Sequence, residues 1–225
     1  MEGKLKSWHK NQFYINQAFR VRRKLMLSAD QGLRRLIEGN RRFVAGKARF
    51  PTVCKETLAA LARGQHPYAT IIGCADSRVP PELVFDANFG ELFIVRVAGN
   101  VISPEVMGSI QYAGFHLKTP LFVVLGHEGC GAVKAAIEQK WKGTKHPSRI
   151  QVLVDNIVPG LSELDHRLSG AEQLARGIEA NVRWSMKQLL ETPEGKKAAH
   201  EGQKKLIGAV FEISTGRVRF LNESR

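Results

Sequence analysis

The stretch CADSRVPPE (74–82) places Cys74, Asp76 and Arg78 two residues apart, directly after an apolar run, YATIIG (68–73). In extended chain that spacing sets a thiol, a carboxylate and a guanidinium on one face. A second stretch, GHEGCGAV (126–133), holds His127 three residues from Cys130, among Gly126, Gly129 and Gly131. The glycines let the backbone turn tightly, and a helix starting near Ala132 would aim its free amides back at the turn, favouring a thiolate. Cys74, His127 and Cys130 together make two thiolates and one imidazole, donor types that zinc takes in tetrahedral geometry. Three protein ligands leave a fourth position open, the arrangement of a catalytic zinc. Singly, each has an ordinary alternative: a small buried thiol for Cys74, a hydrogen-bonded core histidine for His127. Their joint placement with Asp76 and Arg78 argues against both. Arg78 can hold Asp76 in a bidentate charge-assisted pair, keeping the carboxylate off the metal and leaving its fourth position to water.

Fifty-three residues separate Cys74 from His127, so a fold must bring them together. YATIIGC, ELFIVRVAGN (91–100) and PLFVVLG (120–126) read as buried strands, rich in β-branched and apolar residues. Helical segments alternate with them. SPEVMGSIQYAGFHL opens with Ser103 as a cap and Pro104 at the first helical position, and AVKAAIEQK follows the third strand. Before the first strand, QGLRRLIEGNRRFVAG and KETLAALARG read as helices, the former capped by Ser28 or Asp30. Residues 147–193 read as helical apart from a break at PGLSELD, and KLIGAVFEISTGRVRFL as two strands joined by a turn. The expected fold is α/β: a mostly parallel central sheet flanked by helices, with an N-terminal helical arm and an antiparallel C-terminal edge strand. Both reactive stretches then lie at the C-terminal ends of strands, the edge where open α/β sheets bind ligands.

The 225 residues suffice for one domain with a full core. The expected division is a basic helical arm over 1–27 and a single catalytic domain over 28–225. Hydrophobic content of 43% and charged content of 24% are ordinary for a globular protein, and no apolar run approaches the roughly 20 residues of a membrane span. The N-terminus shows no apolar signal core. Three cysteines do not make a disulfide framework and suit a reducing compartment, so a cytoplasmic location is expected. The net charge of +13 is uneven: residues 1–50 carry thirteen Lys/Arg against three Asp/Glu. A solvated basic helix pair accounts for this, and nucleic acid is not the expected partner. Tyr14, Ala18, Val21 and Leu25 form one apolar stripe on that arm, which must bury on its own domain or on a neighbouring subunit.

CADSRVP and GHEGC, with two apolar strands between them, resemble the β-class carbonic anhydrases from about Ser28 to Leu221. The resemblance implies one Zn2+ per chain on Cys74, His127 and Cys130, with Asp76 and Arg78 as the catalytic pair. It implies a lyase, carbonate dehydratase, that hydrates carbon dioxide reversibly to bicarbonate by attack of zinc-bound hydroxide. Gln65, Val79, Phe93, Tyr112 and Gly131 would line the substrate pocket, with Gln65 positioning an oxygen. Members with an inhibitory bicarbonate pocket carry Trp where this chain has Ile71, so that pocket is not expected. A homodimer, homotetramer or higher even oligomer is implied, with residues borrowed across the interface. Two alternatives accompany this reading. One is a carbonyl sulfide or carbon disulfide hydrolase on the same fold, and intact Asp76, Arg78 and Gln65 favour carbon dioxide over it. The other is a non-catalytic zinc-binding assembly module acting through the basic arm.

Overall fold

A computed structural model describes residues 27–49, 54–202 and 204–221. The arm expected over 1–27 lies almost wholly outside them. The first described helix, α1 (Ala29–Val44), starts at Ser28, whose side chain accepts from the Gln31 amide while Gln31 reaches back to the Ser28 N–H. This reciprocal box satisfies two of the orphan donors at the helix start, so Ser28 rather than Asp30 is the cap. A short α2 (Lys55–Leu61) leads to β1 (Ala69–Gly73), then α3 (Pro81–Val84) and β2 (Leu92–Arg96). Beyond β2 a single 3-10 turn (Ala98–Asn100) precedes α4 (Pro104–Phe115), capped by Ser103 with Pro104 at its first position. Next come β3 (Leu121–His127), α5 (Gly131–Lys142) and α6 (Ser148–Ile157). A 3-10 turn (Val158–Leu161) breaks the helical run where Pro159 and Gly160 stand, and α7 (Gly170–Glu191), α8 (Pro193–Glu201), β4 (Lys205–Glu212) and β5 (Arg217–Phe220) complete the chain.

The sheet order is β2-β1-β3-β4-β5, parallel throughout except for β5, which runs antiparallel to β4. Two features differ from the sequence expectation. The second strand ends at Arg96 instead of Asn100, because Gly99 and Asn100 both take positive φ and turn the chain out of the sheet. Residues 193–201 form a helix of their own, begun by the Thr192 cap and Pro193.

Side-chain alternation divides the core between the two sheet faces. Ile72, Val95, Val124 and Val210 pack with α4, α5 and α7 through Val106, Ile110, Val133, Ile137, Ile178 and Val182. Ile71, Val123, Leu125, Ile207 and Ala209 pack on the other side with Leu36 of α1 and with Val84 and Phe85. Cys74, two residues beyond Ile72, belongs to the first of these clusters.

The register brings the reactive ends together. Gly73 pairs with Leu125 on one side and Arg96 on the other. Cys74 therefore leaves the sheet within about two residues of His127, on a neighbouring strand only ~5 Å away. The 53-residue gap is closed by two crossover connections, one through α3 to β2 and one through α4 back to β3 beside β1.

Candidate metal centre

Cys74, His127 and Cys130 are all buried, and their donor atoms lie within 4.8 Å of one another. His127 Nδ1 is 2.9 Å from the Glu128 carbonyl oxygen. A carbonyl only accepts, so Nδ1 carries the proton and Nε2 presents its lone pair. That Nε2 is buried with no hydrogen-bond partner. A buried acceptor aimed at two thiols and otherwise unsatisfied is what a metal ligand looks like before the ion is considered.

The thiols tell the same story. A hydrogen bond from Cys130 drives the Cys74 thiol well down in spite of burial, and the Gly99 amide reinforces this. Cys130 is pushed up, first by its bond to Cys74 and then by burial, although the Ala132 and Val133 amides at the start of α5 favour its thiolate. Two adjacent thiolates need a cation between them. The donor set, the free imidazole nitrogen and this repulsion all fit one zinc ion.

Asp76 stands in front of the group. Its Oδ2 is 3.8 Å from His127 Nε2. Arg78 grips it at three points: Nε to Oδ1 at 2.9 Å, Nη2 to Oδ2 at 2.7 Å, and the backbone N–H to Oδ1 at 3.0 Å. The guanidinium bond, stronger here than the opposing burial, holds the Asp76 carboxyl well below the usual carboxylate range. The chain does not stay extended through Arg78. It turns at Ser77–Arg78, because the Asp76 side chain captures the amide two residues on. The pair forms within a turn and not along one face of a strand.

The other site residues divide into two groups. Phe93 and Tyr112 meet with ring centroids 6.2 Å apart; Phe93 packs against the first core cluster, while Tyr112 is 47% exposed. Gly131 is exposed at the first position of α5, with open space beside its Cα. Val79 is 1% exposed and packs in the second cluster with Val84 and Phe85, away from the aromatic pair. Gln65 is exposed on the segment entering β1, at the end of that strand opposite Cys74. A five-residue strand spans roughly 16 Å, so within one chain Gln65 does not reach the metal group. Ile71, where inhibitory-pocket members carry Trp, is wholly buried in the second cluster.

Three residues at the site escaped the sequence reading. Arg96 donates from Nε to the Cys74 carbonyl (2.8 Å) and from Nη2 to the Asp76 carbonyl (2.6 Å), pinning the backbone that carries both. Its signal was a lone arginine ending an apolar strand. The Gly99 amide donates to Cys74 Sγ at 3.3 Å. Asn181, on α7, donates from Nδ2 to the Gly99 carbonyl at 2.8 Å. No local pattern announces either of these last two.

A family model described as carbonic anhydrase matches residues 69–218. Among curated proteins, "Carbonic anhydrase 2" of Mycobacterium tuberculosis is 38% identical over 183 residues, covering 81% of this chain and 87% of its own. Among solved structures, a tetrameric β-carbonic anhydrase from the ascomycete Sordaria macrospora superposes with a TM-score of 0.69 at 26% identity, covering 83% of this chain and 94% of its own. The Coccomyxa β-carbonic anhydrase, solved with acetazolamide, gives a TM-score of 0.66 at 29% identity, covering 84% and 85%.

Proposed function

The chain belongs to the β-class carbonic anhydrases, zinc enzymes that hydrate carbon dioxide reversibly, and from that premise we propose how its own residues divide the work. Cys74, His127 and Cys130 would hold the ion. Zinc in such a set supplies the Lewis acidity that makes hydroxide available from water far below its bulk pKa. Two thiolates offset more of the metal charge than three imidazoles would, so activity should rise toward alkaline pH.

Asp76 is the group that faces the reacting centre. Held by Arg78, its Oδ2 accepts a hydrogen bond from the attacking water and orients it, while staying anionic throughout the working range. Arg78 keeps the carboxylate turned toward itself and so keeps the space before the ligands clear. Phe93 pairs with Thr70, four residues before Cys74, so the apolar wall it makes with Tyr112 would face the carbon dioxide site of a second copy. Gly131, with open space beside it, leaves room at the helix start.

The observation that carries this reading is the Asp76–Arg78 pair set 3.8 Å from a metal-ready imidazole nitrogen. A structural zinc has no use for it, and this disfavours the non-catalytic module. Stopped-flow hydration at roughly pH 7 and pH 8.5, with zinc assayed on the same sample, tests it. Fast hydration with about one zinc per chain is the expected result. Zinc without hydration would favour the sulfur-substrate alternative.

We take residues 28–225 as the catalytic domain and expect it to work as an even oligomer, as the Sordaria relative is tetrameric. Tyr112, Phe115, Leu83 and Phe89 expose between 47% and 62% of their surface, more apolar area than an isolated subunit has reason to show. Gln65, out of reach of its own site, would serve that of a second copy. A monomer by light scattering at micromolar concentration would refute this. Among the described residues no helix is long and apolar enough to cross a membrane. The free Cys54, Cys74 and Cys130 support a reducing, cytoplasmic setting.

A further inference from the structure

The 3-10 turn after β2 carries two consecutive residues in the left-handed region, Gly99 at φ 68° and Asn100 at φ 46°. Gly99 has no substitute: a Cβ there would lie 2.7 Å from Ile157 Cδ1 and 2.9 Å from Ala132 Cβ. Asn100 is 1% exposed, and a non-glycine residue buried in this conformation persists only where its surroundings hold it.

What holds it is one face of α7. Asn181 and Ser185 stand one helical turn apart, both fully buried. Asn181 Nδ2 donates to the Gly99 carbonyl at 2.8 Å. Ser185 Oγ donates to the Asn100 carbonyl at 3.0 Å and accepts from Asn100 Nδ2 at 3.2 Å. Gly99, held through its carbonyl on one side, presents the N–H of the preceding peptide to Cys74 Sγ. Asn181 Oδ1 is itself buried without a partner. A leucine there would remove the orphan oxygen but would leave the Gly99 carbonyl without its donor, so Asn181 matters for its N–H and not for its volume.

We propose that Asn181 and Ser185 are positioning residues for the metal centre: a clamp on α7 that fixes the Gly99–Asn100 turn so that its amide hydrogen-bonds the Cys74 thiolate. A hydrogen bond to a ligating thiolate withdraws charge from sulfur and fixes its direction, so the clamp sets both how tightly the ion is held and how much positive charge it keeps. The inference rests on the zinc reading above and adds two residues that touch neither metal nor substrate.

Cobalt(II) substitution gives a readout that a merely structural role would not move. In Asn181→Ala and Ser185→Ala, the thiolate-to-cobalt charge-transfer band should shift to longer wavelength, because a sulfur without its hydrogen bond gives up electron density more easily. Zinc transfer from the zinc-loaded variants to a competing chelator should quicken by about tenfold or more. Leu189→Val, one helical turn beyond Ser185 and with a side chain that cannot hydrogen-bond, serves as the control for lost packing alone. It should lower thermal stability while leaving band and transfer rate at their wild-type values. If Asn181→Ala fails to fold, Ser185→Ala, which removes a single oxygen, carries the test. Folded Asn181→Ala and Ser185→Ala that match Leu189→Val in both readouts overturn the clamp. A wild-type chain that takes up neither cobalt nor zinc overturns the metal reading itself.

Discussion

Asp76 and Asp86 are each gripped by arginine, in different company. Asp76 is held by Arg78, two residues along, in a shallow position where the carboxylate is 18% exposed and the guanidinium 54%. Asp86 is held by Arg42 and Arg49, 44 and 37 residues away, and its carboxylate is 2% exposed. Arg49 also donates its backbone N–H to Asp86 Oδ1 and its Nη2 to the Asp86 carbonyl. The chemistry of the two pairs is the same. What differs is the company: Asp76 looks onto His127 and the two thiols, while Asp86 fastens α1 and the segment after it to the end of α3. In the proposed mechanism the first pair positions a reactive carboxylate, while the second joins distant parts of the chain. An arginine–aspartate pair in itself signals neither catalysis nor stability, and its neighbours decide which it serves.

The largest effect that would test this contrast comes from removing the company and not the pair. His127→Ala should drop zinc from about one per chain to a small fraction and bring hydration close to the uncatalysed rate, with Asp76 and Arg78 untouched. Metal analysis alongside stopped-flow reads both. Retained activity in a zinc-free variant would mean that Asp76 acts without the metal, and the comparison would fail.

Next in size is the proposed catalytic pair. Arg78→Ala should lower kcat by about 10- to 100-fold, the usual range for a partner one step removed from a metal site. Its melting temperature should scarcely change, since a half-exposed ion pair contributes little to stability. Arg167→Ala makes the matched control: it breaks an aspartate pair with the same two-residue spacing, Asp165–Arg167, far from the thiols, and should leave kcat unchanged. Equal activity in the two variants would remove Arg78 from the mechanism.

Asp86→Asn should give the opposite pattern. Asparagine tolerates the φ of 46° found there, so the change isolates the charge. Stability should fall by about 2 kcal/mol, mostly through Arg42 and the Arg49 amide, because the Arg49 guanidinium is 58% exposed and well screened. For a chain of this size that is a loss of about 4–8 °C in melting temperature. The kcat of the folded variant should be that of the wild type. A large loss of kcat without a loss of stability would show that the staple reaches the site after all.

The same contrast explains what could be read from the sequence. Cys74, Asp76 and Arg78 are local, as are His127 and Cys130, so residue type and spacing alone made the metal group and its carboxylate legible. The parallel strands were legible as unbroken apolar runs, which is why the sheet could be placed and the two stretches brought to one edge. Asp86 was not legible: its partners lie 37 and 44 residues upstream, and nothing in PELVFDAN marks a buried charge. Asn181 and Ser185 were read as ordinary positions of a long helix, because their function comes from meeting a turn 82 and 85 residues earlier. Val79 and Gln65 show the converse. The resemblance assigned both to one pocket, yet within one chain a strand length sets Gln65 apart from the metal group, and Val79 packs in the second cluster while Phe93 packs against the first.

The smallest expected effect distinguishes the staple by pH. Burial would raise the Asp86 carboxyl, but the Arg42 and Arg49 hydrogen bonds outweigh it, and its folded pKa lies below the ordinary value. A carboxylate depressed in the folded state contributes stability that is fully present above its unfolded pKa of about 4 and is lost as pH falls through the lower folded value. The stability gap between wild type and Asp86→Asn should therefore be flat from neutral pH to about pH 5 and should narrow in acid. There the wild-type carboxyl gains its proton and comes to resemble the amide. Urea midpoints for both proteins across that range measure the gap directly. A gap that stays constant, or widens, into strong acid would mean that Asp86 is held by shape and not by charge, and the two aspartates would then differ in kind as well as in company.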